Sequence, residues 1–109
     1  MFTIDSKNNI RIVKGDTALI DFKLDQYYLK EGDIVYFTVK SSFENSTPDI
    51  QVIVDEFIDG KAKIQLTSEM TKIAAGNYYY DLQVSLSNGI VDTVIGPARF
   101  KVINEVTTN

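Results

Sequence analysis

The chain has neither cysteine nor histidine among its 109 residues. Without cysteine there are no disulfides, so the core must be held by packing, which suits the cytosol or any compartment that oxidises nothing. Lack of both residues removes the commonest general base, the commonest transition-metal ligand and the best side-chain nucleophile. No Gly-x-Ser-x-Gly elbow, Gly-x-x-x-x-Gly-Lys-Ser/Thr phosphate loop or Gly-x-Gly-x-x-Gly dinucleotide turn occurs. Eleven cationic residues face 15 carboxylates and form no run or stripe along the chain. The net charge of −4 and pI near 4.7 therefore argue against nucleic acid, whose phosphates demand clustered positive charge. No apolar run approaches the ~20 residues that span a bilayer. The start, Met1 to Lys7, has neither the basic nor the apolar region of a secretion signal. These absences predict a non-enzymatic protein with no cofactor and no metal, made in the cytoplasm, that engages neither nucleic acid nor membrane.

What is present reads as one globular domain over 1–109, with a core over about 10–103 and a polar, frayed tail at 104–109. An apolar share of 44% with 24% charged residues is that of an ordinary globule. This length suffices to bury about 65% of the surface the unfolded chain exposes. Strand signals recur between turn residues: Ile10–Val13, Thr17–Leu24, Ile34–Lys40, Ile50–Ile58, Lys61–Leu66, the run from Tyr78, and Ile90–Ile103. Lys14-Gly15-Asp16, Gly32-Asp33, Asp59-Gly60 and Ser87-Asn88-Gly89 punctuate them. Val35, Phe37 and Val39 share one face of their strand, as do Ala62, Ile64 and Leu66 of theirs. Thr67–Ala74 breaks the period of two and predicts a single helical turn capped by Thr67 or Ser68. Gly96-Pro97 predicts a bulge or a switch between sheets. Seven strands without intervening helices predict an all-β, antiparallel two-sheet sandwich.

Few residues offer chemistry. Asp55, Glu56 and Asp59 cluster around one turn, and Asp81 and Asp92 form a second carboxylate pair. They read as solvated turn carboxylates; a glycosidase needs two across a cleft, and a calcium loop needs a denser ligand pattern. Asn45-Ser46-Thr47 matches a glycosylation acceptor and reads as part of an exposed polar loop, Ser41–Pro48. Tyr27 and Tyr28 are candidates for partner binding, with one of them expected to cap the open end of the core. Gln51 and Ile53 lie on the strand most exposed as an edge, since Pro48 marks its start.

The densest signal is Ala75-Gly76-Asn77-Tyr78-Tyr79-Tyr80-Asp81, a small-residue corner entering a strand. Alternation sends Tyr78, Tyr80, Leu82 and Val84 one way and Tyr79, Asp81 and Gln83 the other. Tyr78 is expected to bond backbone at the corner, Tyr80 to fill the core, and Tyr79 to face outward for a partner. A tyrosine at this place is a mark of the next-to-last strand of an immunoglobulin-like sandwich.

Taken in order, the Lys14-Gly15-Asp16-Thr17 turn, the Asp33–Lys40 strand, this tyrosine corner and the Asp92–Val102 strand resemble a known group. They look like small immunoglobulin-like structural domains of tailed phages and prophages, of the baseplate upper protein N-terminal-like or head-fibre and capsid-decoration types. The resemblance covers roughly Ile10 to Val102. It implies a virion component without catalysis, docked on other virion proteins or on itself in the baseplate, neck or capsid surface. The alternative is a bacterial surface or carbohydrate-binding immunoglobulin-like module, for which Tyr27, Tyr28 and Tyr79 would be the aromatic platform.

Overall fold

Strands form where apolar and polar residues alternate, and turns where glycine or aspartate interrupts them. The computed structural model describes residues 2–106 and is all-β. Its eight strands are β1 (Thr3–Ile4), β2 (Ile10–Val13), β3 (Ala18–Phe22), β4 (Ile34–Lys40), β5 (Ile50–Val54), β6 (Ala62–Leu66), β7 (Gly76–Ser85) and β8 (Val91–Ile103). Six of them form one sheet in the order β1-β2-β8-β7-β4-β5, and β3 pairs with β6 in a second sheet. Neighbours are antiparallel except β2 and β8, which run parallel with Ile10 beside Phe100 and Ile12 beside Val102.

The two sheets share one core. Ala18, Ala62, Ile64 and Leu66 from the smaller sheet join Ile12, Val35, Phe37, Tyr80, Leu82, Phe100 and Val102 from the larger. Phe37 sits at the centre, its ring 5.2 Å from that of Tyr80 and 6.2 Å from that of Phe100. Both spacings are those of favourable aromatic pairs.

The structure departs from the sequence expectation at several places. A further short strand, β1, precedes the seven expected ones. Its turn is shaped by Asp5, whose carboxylate accepts the amides of Lys7 and Asn9 at 2.9 Å each. The strand expected over Ile50–Ile58 ends at Val54, because Ile58 and Lys61 bond each other's backbone across the Asp59-Gly60 turn. No helix occurs among the described residues. The Thr67–Ala74 segment is instead a hydrogen-bonded turn in which Thr67 Oγ1 accepts the Met70 amide and the Thr67 carbonyl accepts that of Thr71. At Gly96-Pro97, by contrast, the expected bulge is present and the strand stays in its sheet: Tyr80 pairs with Ala98 and Leu82 with Ile95, so Asp81 alone faces two residues. Of the expected frayed tail, residues 104–106 lie outside any strand, and 107–109 lie outside the described residues.

Candidate functional site

Successive tyrosines on β7 do different work because their side chains alternate across the sheet. The Tyr78 hydroxyl donates to the Ala74 carbonyl at 2.6 Å, tying the strand to the turn that feeds it. Tyr80 lies in the core and donates to the Asn8 carbonyl, tying the β1–β2 turn to the middle of the sheet. Burial raises the pKa of both hydroxyls, that of Tyr80 to about 12. Both therefore stay protonated and act as donors. Tyr79 faces out, pairs across the sheet with Lys40 and Arg99, and meets Phe43 at 4.8 Å between ring centroids.

Phe43 comes from the polar loop after β4 and is 65% exposed. Its place against Tyr79 turns the outer sheet face into an open hollow of about 620 Å³. Tyr36, Phe43 and Tyr79 supply aromatic walls; Thr38, Gln51, Asp81 and Gln83 supply a polar floor. Gln51 donates to Thr38 Oγ1 at 3.3 Å, which leaves its own amide oxygen to face the hollow or solvent. Ile53 continues the same face along β5, beside Tyr36 in the register, and β5 is the terminal strand of the sheet. Two of the residues singled out from sequence, Gln51 and Tyr79, thus line one hollow, with Ile53 next to it.

Tyr27 and Tyr28 lie elsewhere, at the end of the molecule built by residues 23–33, 55–61 and 86–90. Tyr27 is engaged: its hydroxyl donates to the Asp33 carboxylate at 3.0 Å and accepts Lys30 Nζ at 2.9 Å. Asp33 is fully buried and also accepts the amides of Ser87 at 2.8 Å and Lys30 at 3.0 Å. Burial alone would raise its pKa, yet these bonds outweigh it and hold the carboxyl below the usual carboxylate range. Asp33 is therefore a buried anion that staples its own connector, residues 27–33, to the turn that begins at Leu86, and Tyr27 belongs to that staple. Tyr28 is 66% exposed and its ring lies so close to Gly60 that a Cβ there would fall 2.6 Å from it. Glycine is thus required under the tyrosine, at a backbone φ of +73°.

A second hollow of about 370 Å³ adjoins the first along β2 and β8. Arg11, Arg99 and Lys101 line it, with Asn9 and Asn77. Arg11 and Lys101 are direct register neighbours, and Arg99 lies two residues along the same face. No ion pair among the described residues engages any of the three. Asp5 shares the hollow, but its carboxylate bonds the Asn9 and Lys7 amides of its own turn, and this holds its pKa low. This strip escaped the sequence reading, which found no cationic stripe, because parallel pairing brings Arg11 beside a residue 90 positions away. The one local trace is the Arg-x-Lys alternation at 99–101.

Among the described residues no cluster of three carboxylates could hold a metal ion. No protein-family model matches this chain, and no curated protein sequence matches it.

Proposed function

We propose that the chain is a non-enzymatic docking module, an immunoglobulin-like virion structural protein of a tailed phage or prophage. Support for that topology comes from the strand order, with β2 running parallel to β8, β3 and β6 forming the second sheet, and a tyrosine hydroxyl bonded four residues upstream. The observation that carries the docking role is the outer face of the six-stranded sheet. It exposes an aromatic pair and a row of unpaired cations, while the inner face is closed. Contiguous exposed apolar groups beside charge are what an interface core and rim look like before a partner arrives. The β5 edge extends that surface, since its unpaired backbone can accept another strand.

Particles purified on a density gradient from cells carrying the gene test this reading by quantitative mass spectrometry. The chain should be present at a fixed ratio to the major particle protein. A variant carrying Gln51→Lys and Ile53→Lys should fold and be missing from particles. Absence of the wild-type chain from particles would overturn the reading.

A second reading, a carbohydrate-binding module, is favoured by one observation. Tyr36, Phe43 and Tyr79 wall a hollow whose floor offers amide and carboxylate groups to hydroxyls. Titration with soluble oligosaccharides, followed by amide shifts at Gln51, Tyr79 and Gln83, separates it from protein docking.

A further inference from the structure

We infer that copies of this chain associate head to face, the acidic end of one docking on the cationic outer sheet face of the next. This rests on the docking role proposed above and names the partner as a second copy.

The face breaks a local rule. Like charges in adjacent positions of neighbouring strands repel, and Arg11 beside Lys101, with Arg99 next to them, is such an arrangement. A chain with 15 carboxylates had ample means to neutralise it. Instead, the outward strand residues of the large sheet include Arg11, Lys40, Arg99 and Lys101 against the single Asp81. The chain as a whole stands at −4, so the rest of its surface is strongly acidic. A sequence that holds unrelieved repulsion at one place, with no gain to its own fold, marks that place for a partner of opposite sign.

The complementary surface is on the same molecule. The end formed by residues 23–33, 55–61 and 86–90 carries Asp25, Glu31, Asp55, Glu56 and Asp59, with the buried Asp33, against Lys23, Lys30 and Lys61, and so is acidic on balance. It also exposes Tyr28 and Ile58, each 66% accessible, and Ile90 at 54%. Apolar groups rimmed by carboxylates match an aromatic pair, Tyr79 and Phe43, flanked by cations. The opposite end, formed by residues 14–17, 41–49, 67–75 and 104–106, is also rich in carboxylates, but the large hydrophobics it exposes among the described residues are Phe43, which already belongs to the outer-face hollow, and Val106 of the tail. The two complementary surfaces are different patches. Their contact is therefore heterologous and builds a ring if the rotation closes, or a filament if it does not.

Sedimentation velocity over a concentration series tests this with the whole chain. At about 20 mM salt the wild-type weight-average mass should climb above that of the monomer as protein rises towards about 500 µM, and fall back at about 500 mM salt, where charges are screened. A face-reversed variant, Arg99→Glu with Lys101→Glu, should remain monomeric. So should an end-reversed variant, Asp55→Lys with Glu56→Lys. Mixed in equal amounts, the two should regain association, because each reversed surface meets its new complement. Lys63→Glu, on the smaller sheet, should associate as the wild type does, and urea denaturation checks that every variant folds. A wild type that stays monomeric, a face-reversed variant that still associates, or a mixture that stays monomeric would overturn the proposal. None of these outcomes touches the docking role itself, which particle composition tests independently.

Discussion

The two faces of the six-stranded sheet are built from the same strands and obey different rules. On the inner face each polar atom has a partner: the hydroxyls of Tyr78 and Tyr80 bond backbone carbonyls, and no buried side-chain polar atom among the described residues is left unpaired. On the outer face, one residue away, Tyr79 and Phe43 stand exposed, and Arg11, Arg99 and Lys101 have no ion-pair partner among the described residues. One face is closed by its own fold; the other lacks the groups that would close it. Folding energetics therefore concentrate inside, and under the docking role proposed above the outer face is where a partner would bind.

Substitutions should separate the faces in order of size. Phe37→Ala removes the hub of the aromatic core and should cost about 3–5 kcal/mol in urea denaturation, whereas Tyr79→Ala should cost well under 1 kcal/mol. Asp33→Ala comes next. It strips a partner from two backbone amides and the Tyr27 hydroxyl, and a loss of about 3 kcal/mol is expected. The same carboxylate sets a pH dependence. Its pKa is lowered on folding, so its contribution is full above the ordinary aspartate pKa and is lost as pH falls through and below that value. Denaturation midpoints of the wild type should drop in that acid window more steeply than those of Asp33→Asn.

Gly96→Ala follows, at about 2–3 kcal/mol, since the residue has a φ of +101° and a Cβ would meet the Tyr80 carbonyl oxygen at 2.7 Å. Its bulge sets the register beside Asp81 and the aromatic hollow, so amide shifts at Tyr79 and Gln83 should move as well. The smallest effect runs the other way. Lys101→Glu should leave stability unchanged or raise it by about a few tenths of a kcal/mol, because it relieves repulsion from Arg11. A clear loss of stability there would mean that the outer cations serve the fold.

Much of the inner face was legible. Val35, Phe37 and Val39, and Tyr78, Tyr80, Leu82 and Val84, follow the period of two, and all seven are buried. The alternation could not reveal β1, which is two residues long and held by the Asp5 turn rather than by a pattern. Nor could it end β5 at Val54, because the apolar Phe57 and Ile58 prolong the signal into the turn. The outer face was harder to read. Tyr79, Gln51 and Ile53 were legible as outward strand residues. Phe43 hid in a loop that reads as polar, and the cationic strip depends on pairing between Arg11 and Lys101 that only the folded chain creates. Tyr27 illustrates the converse. Its composition resembles a contact residue, yet its hydroxyl belongs to the Asp33 staple, a bond no local pattern encodes.

Amide hydrogen exchange, compared at low and high protein concentration in low salt, tests most directly whether the outer face is the working surface. Concentration should add protection to β2, to residues 98–103 of β8 and to the 55–61 turn, while β3 and β6 stay unchanged. Protection gained instead on β3 and β6 would contradict the assignment of the fold to one face and the partner to the other, and protection gained nowhere would overturn the self-association.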